Sequence, residues 1–180
     1  MKATSAAAVI LSAVFLAPSS LSAKGDIVKV TIQGADLTTP IEIYPNIGEF
    51  SVWVGPGTSG NGVEQTSRYN AFIVDWSKGV VAQPPAGLQH YEVSFYSGCR
   101  KFGNCRPSEP SIVYVVFYDY DPSTEEGFIY LPGKDDEWYR LNTRTIFHGL
   151  EGNWFRSTGE WEKFARSLIA RARVANRRLP

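Results

Sequence analysis

Residues Ile112-Val113-Tyr114-Val115-Val116-Phe117-Tyr118 constrain the fold more than any other stretch. They are β-branched or aromatic without interruption, and apolar at odd and even positions alike. A strand with that pattern is buried on both faces, which predicts the centre of a sheet within Ser111 to Tyr120. A second strong strand, His90 to Ser97, precedes it across the loop that holds Cys99 and Cys105, so the pair predicts a hairpin with the cysteine loop at its tip. After it, Asp121-Pro122-Ser123-Thr124 places Asp and Pro where a type I turn wants them. Gly127 to Leu131 is expected to return antiparallel. Pro132-Gly133-Lys134-Asp135 is expected to turn once more, before a third run at Glu137 to Leu141. The three runs read as a meander.

Upstream, Asp26 to Gln33 alternates Val28, Val30 and Ile32 against Lys29, Thr31 and Gln33, the period of a half-buried strand. Pro40 to Tyr44, Phe50 to Val54 and Ala71 to Trp76 are further strand candidates. Gln83-Pro84-Pro85-Ala86-Gly87 is a connector that no central strand tolerates. Residues 143–156 carry no clear period, since Gly149 and Gly152 interrupt them. The period then changes. Ser157-Thr158-Gly159-Glu160 fits a capping box, and Trp161, Phe164, Leu168, Ala172 and Ala175 recur at helical spacing with Ala165 beside them. An amphipathic helix is expected over 158–176, with Lys163, Arg166, Arg173 and Arg177 on its wet side. On that reading Leu168→Ala costs about 2–5 kcal/mol. Arg173→Ala changes stability by less than about 0.5 kcal/mol. The fold class expected is α+β: mostly antiparallel sheet, built of hairpins and a meander, with one C-terminal helix packed on it.

The first 23 residues speak to location. Lys2 precedes the apolar run Ala6 to Ala17, followed by Pro18 and the small-residue stretch Ser19 to Ala23. That order is a secretory signal peptide, cleaved between Ala23 and Lys24. Twelve apolar residues are too few to cross about 30 Å of hydrocarbon, and no later run is long enough. Lys24 is not the cysteine that a lipid anchor needs. A single domain over residues 24–180, secreted or periplasmic, is the expectation. Eighteen basic and eighteen acidic residues balance, and removal of Lys2 leaves one net negative charge. That balance gives no reason to expect nucleic acid as a partner. Outside the cytoplasm Cys99 and Cys105 read as a disulfide. Its short loop limits the stabilisation to about 2 kcal/mol. A metal-binding pair needs tighter spacing and further ligands.

Several motifs bear on chemistry. Gly55-Pro56-Gly57-Thr58-Ser59-Gly60 matches G-x-G-x-x-G, with Asp75 near the offset of a ribose-binding acid. A dinucleotide site needs a helix directly after the glycines, and polar Asn61 to Asn70 cannot pack one on a sheet. No cofactor is therefore expected. Asp119, Asp121, Glu125 and Glu126, with Ser123, crowd oxygen donors around one turn as a possible cation or ligand contact. An acidic solvated turn is the favoured account of them, and of Asp135-Asp136-Glu137 too. Two carboxylates within about 5–10 Å would serve glycoside hydrolysis, with aromatic rings stacking on the sugar. Trp76, Trp138, Trp154 and Trp161 otherwise read as core or rim packing. His90 and His148 sit in no zinc spacing, and no Gly-x-Ser-x-Gly elbow is present.

The run Phe72 to Gly79, then Tyr118-Asp119-Tyr120-Asp121-Pro122-Ser123-Thr124, Tyr130-Leu131-Pro132-Gly133 and Glu151-Gly152-Asn153-Trp154-Phe155, resembles short secreted bacterial proteins of uncharacterised function. The resemblance spans most of the mature chain and implies neither an activity nor a site; the cysteine loop is not a feature of that group. The function expected is a non-catalytic binding or interaction module with an extracytoplasmic ligand or protein partner. The alternative is a small hydrolase, glycan-directed for example, using Asp and Glu as acid and base. Exposed aromatics without converging carboxylates favour the first; two carboxylates across a cleft favour the second.

Overall fold

Among the described residues seven strands form one antiparallel sheet, and the doubly apolar run lies at its middle. The computed structural model describes residues 26–34, 37–44, 73–98 and 109–176. The strands are β1 (Asp26–Gly34), β2 (Ile41–Ile43), β3 (Val80–Val81), β4 (Gln89–Gly98), β5 (Ser111–Tyr120), β6 (Gly127–Tyr130) and β7 (Trp154–Arg156), in the order β2-β1-β4-β5-β6-β7-β3. A 3-10 turn covers Trp76–Lys78, and two helices, α1 (Tyr139–Thr145) and α2 (Gly159–Asn176), complete the α+β fold.

Period-two alternation sorts the strand residues. Val30, Ile32, Tyr91, Val93, Phe95, Tyr114, Val116, Tyr118, Ile129 and Phe155 are all buried in one core with Trp161, Ala165 and Ile169 of α2. Tyr118 and Trp161 meet edge to face, ring centroids 5.7 Å apart. On the other face Val115 is also fully buried, as a central strand demands.

The third run of the meander is not a strand. Glu137 to Leu141 leads into α1, and β6 instead pairs with β7, through Phe128↔Arg156, Ile129↔Phe155 and Tyr130↔Trp154. Local chemistry explains the departure. The Asp136 carboxylate accepts from the Gly133 amide (2.6 Å), while the Asp136 amide donates to the Gly133 carbonyl (2.9 Å), which curls 133–136 into a turn. The returning chain passes very close: a Cβ on Gly133 would lie 2.8 Å from Gly152 Cα, and Gly152 itself has φ +86°.

Pro132 has a second effect. The β5–β6 pairing ends at Phe117↔Tyr130; continued two residues further it would set Pro132 opposite Val115, and proline has no amide to donate. The Asn142 side chain of α1 takes the missing strand's place. Its Nδ2 donates to the Val115 carbonyl (2.7 Å) and its Oδ1 accepts from the Val115 amide (2.9 Å). Thr145 Oγ1 similarly donates to the Val113 carbonyl at 2.6 Å.

Of the strand expected over Ala71 to Trp76, the described residues 73–76 do not form one either, and Ala71 and Phe72 lie outside the described residues. Val74 makes an isolated bridge with Ser157, and Asp75 accepts from the Ser77 amide at 3.1 Å to cap the 3-10 turn. The strand expected over 50–54, the Gly55–Gly60 motif, the signal segment with its Ala23–Lys24 cleavage site, and Cys99 and Cys105 lie outside the described residues. The two strands that the cysteine loop joins, β4 and β5, are antiparallel neighbours.

The C-terminal helix begins at Gly159, capped one residue later than the box implies. Thr158 Oγ1 accepts from the Trp161 amide (3.1 Å), leaving Ser157 to the sheet. The buried stripe is Trp161, Glu162, Ala165 and Ile169, with Phe164 and Leu168 only partly buried at its margin. Leu168→Ala is therefore expected to fall below the fully buried range. Arg166 and Arg173 do not lie on a wet face: long stems let both guanidinium groups turn back to the sheet. Arg173 donates to Gln89 Oε1 and to the Tyr91 hydroxyl (2.6 Å). Arg173→Ala is expected to lower stability by about 1–2 kcal/mol, since bonds to a charged donor are lost. Lys163→Ala, at an exposed position, should leave the urea midpoint within experimental scatter.

Candidate functional site

The face of the sheet turned away from α2 carries two rows of side chains that run across the strands. Register sets them. Glu92 (β4) lies opposite Phe117 (β5), Phe117 opposite Tyr130 (β6), and Tyr130 opposite Trp154 (β7). The neighbouring row is His90, Asp119, Phe128 and Arg156 on the same four strands. The rings form a continuous series with centroid separations of 4.9 Å for Trp154–Tyr130, 6.3 Å for Tyr130–Phe117 and 5.0 Å for Phe117–His90. Tyr130 and Phe117 are nearly parallel, with planes 9° apart. Phe117, Tyr130 and Trp154 are partly exposed, whereas Phe128 is buried beneath the Arg156 guanidinium, 5.6 Å from its ring centroid.

Three carboxylates border these rings, each held by a neighbour. Glu92 accepts from Ser94 Oγ (2.7 Å) and from the Trp138 indole (3.0 Å), which draws a further partly exposed ring to the end of the row. Asp136 accepts from the Tyr130 hydroxyl (2.9 Å), and Asp119 Oδ1 lies 2.6 Å from His90 Nδ1. At the far side Arg156 pairs with Glu126 at 2.6 Å.

The hydrogen bond to Asp119 holds the His90 pKa above its ordinary value. Partial burial opposes the shift, and the charges of Asp119 and Glu92 reinforce it. A raised imidazole pKa contributes stability that is complete below the unfolded value of about 6.5 and disappears as pH rises through the folded value. With the side chain 58 % exposed, water screens the pair, so the contribution stays below about 1 kcal/mol. His90→Gln should narrow the gap in urea midpoint between pH 6 and pH 9 relative to the unaltered chain, by slightly lowering the pH 6 value only.

Searches of protein-family models, curated proteins and solved structures find no match to this chain.

Of the acidic residues crowded around the 119–126 turn, Asp119 lies in these rows and Glu126 meets them only through Arg156, while Asp136 of the next acidic run borders the rings through Tyr130. Asp121 accepts from the Ser123 amide and hydroxyl (both 2.7 Å), which holds its carboxyl below the ordinary range. Glu125 is exposed in the turn, and Glu126 is drawn to Arg156. Among the described residues, no three His, Cys, Asp or Glu side chains are grouped as metal ligands. Within the turn that suggested a cation, the charge comes from the chain itself. The Arg166 guanidinium donates to the backbone carbonyls of Asp121 (3.1 Å), Thr124 and Glu126 (2.9 Å). It also donates to Glu162 Oε2 (2.6 Å) and lies over the Tyr120 ring at 4.4 Å.

Glu162 is the centre of a buried polar cluster beneath α2. It accepts from the Tyr118 hydroxyl (3.0 Å), from Ser157 Oγ and from Arg166. Burial, then the Glu162 charge, pushes the Tyr118 pKa far above the usual phenol range, so the hydroxyl stays protonated and donates. Trp76, read from sequence as packing, meets Phe155 edge to face (ring centroids 5.1 Å apart) and lies tilted against the His148 ring (5.2 Å).

Sequence reasoning missed the row itself. Its signal was parity: Phe117 and Asp119, Phe128 and Tyr130, and Trp154 and Arg156 are each two residues apart, and so share one face of their strand. What hid it was the pairing of β6 with β7 across 23 residues of turn and helix.

Proposed function

We propose that the protein is a non-catalytic, extracytoplasmic binding module whose ligand lies on the aromatic face of the sheet. One observation carries this reading: a continuous, partly exposed series of rings on four strands, bordered by carboxylates already engaged by His90, Trp138, Ser94 and Tyr130. Rings held in place by a sheet offer a large contact area with little conformational entropy to lose on binding. Engaged carboxylates keep lone pairs for a ligand's hydroxyl groups, but are poorly placed to abstract and return protons. A hydrolase would want one acid facing another across a cleft; here Glu92, Asp119 and Asp136 stand along a shelf.

The test is a titration of the mature protein with arrayed glycans and peptides, read by tryptophan fluorescence, with Trp154→Ala and Phe117→Ala in parallel. Binding that weakens about tenfold or more in both variants, while their folded-state circular dichroism is retained, supports the reading. Binding undiminished in both would move the ligand off this face. Turnover of a bound glycan would replace the module by the hydrolase.

Export and the cysteine bond belong to the same reading. The charged, apolar and small-residue order of residues 1–23 supports cleavage at Ala23–Lys24, and the hairpin of β4 and β5 supports a Cys99–Cys105 bond in the loop between them. Intact-mass measurement of exported protein, with and without alkylation, is expected to show a chain starting at Lys24 that takes up no alkylating agent. Retention of the first 23 residues, or two labelled thiols, would refute the corresponding assignment.

A further inference from the structure

Resting on the binding face proposed above, we infer that its occupant is a linear, uncharged polysaccharide chain lying across the strands. Three observations lead there. The first is extent. The row from Glu92 through Phe117 and Tyr130 to Trp154 crosses four adjacent strands. At about 4.8 Å between strands that is about 14 Å, a distance suited to several linked sugar rings rather than one.

The second is the absence of backbone from the surface offered. Phe117, Tyr130 and Trp154 belong to paired strands in the middle of the sheet, so their amides and carbonyls are committed to the ladder. A bound extended peptide draws affinity from main-chain bonds at a sheet edge. This face offers only ring surfaces and side-chain polar atoms, the combination that suits a pyranose chain with its apolar C–H faces and its rim of hydroxyl groups.

The third is charge. Within the two rows both cationic groups carry a partner, His90 with Asp119 and Arg156 with Glu126, and on β1 Lys29 pairs with Glu42. The remaining acids, Glu92 and Asp136, are held by neutral donors. A polyanion would find no uncompensated cation there and would meet those acids at close range. Sugar hydroxyls both donate and accept, so they satisfy the carboxylates and the imidazole without importing charge.

The experiment is calorimetric titration of the mature protein with cello-, xylo- and chito-oligosaccharides of two to six units. Polygalacturonate serves as the charged probe, at low and high salt. The expected result is affinity for at least one neutral series that rises about tenfold or more from the disaccharide to the tetrasaccharide and changes little with salt. Trp154→Ala should abolish that gain, and Trp154→Phe, which keeps a ring and guards against a folding defect, should retain most of it. Equal affinity for short and long oligomers, or salt-sensitive binding of polygalacturonate alone, would overturn the inference while leaving the binding face intact, provided Trp154→Ala still weakens binding. Binding indifferent to Trp154→Ala would overturn both, and no heat with any of these glycans would overturn the inference.

Discussion

Replacing Asn142 with leucine is expected to lower the unfolding free energy by about 2–5 kcal/mol. The side chain is fully buried and does the work of a peptide group, donating to the Val115 carbonyl and accepting from the Val115 amide. Leucine fills a similar volume but removes both bonds, and leaves a donor and an acceptor of the central strand without partners away from water. Each such group costs about 1–3 kcal/mol. Asn142→Asp keeps the acceptor but faces the Val115 carbonyl with an oxygen, so it should be nearly as damaging. Urea unfolding of the two variants checks this. A loss below about 1 kcal/mol in both would mean that β5 closes its ladder some other way.

Glu162→Ala should be of similar size, about 3–5 kcal/mol. Breaking a buried ion pair from one side leaves the other charge uncompensated. The Glu162 and Arg166 side chains are only 9 % and 21 % exposed. The Tyr118 hydroxyl and Ser157 Oγ lose their acceptor in the same step. A companion variant sharpens the test. A Cβ on Gly127 would lie 2.0 Å from Glu162 Oε1 and 2.7 Å from the Tyr118 ring, so Gly127→Ala must displace the carboxylate. If the cluster acts as one unit, the double variant loses clearly less than the sum of the two single losses. Strict additivity in the urea midpoints would show that the two positions act separately.

The sheet was legible wherever one strand carried its own pattern. The doubly apolar run at 112–118 placed β5 at the centre, alternation placed β1, and the 3.6-residue period placed α2 within a residue of its start. What escaped was decided by contacts between distant residues. Glu137 to Leu141 is aromatic and apolar enough for a strand, but Asp136 folds the chain back at Gly133 and Asn142 finds its partners on β5. Arg166 and Arg173 follow the polar side of a helical wheel, yet their stems are long enough to reach carbonyls and hydroxyls on the sheet. The aromatic face stayed hidden for the same reason. Each strand showed two of its residues, and only the order β4-β5-β6-β7 lines them up.

The Arg166 guanidinium joins a turn at 121–126 to a helix that begins more than thirty residues later. Chain synthesis runs from the N-terminus, so the hairpin of β5 and β6 emerges well before the group that secures its carbonyls. Until α2 arrives, the apolar core face of the central strands lacks its cover as well. The nascent chain is therefore held short of its folded state until α2 has been made, and closing the core waits on that helix. On the export reading proposed above, that delay keeps the chain threadable until it has crossed the membrane, and assembly is deferred to the far side.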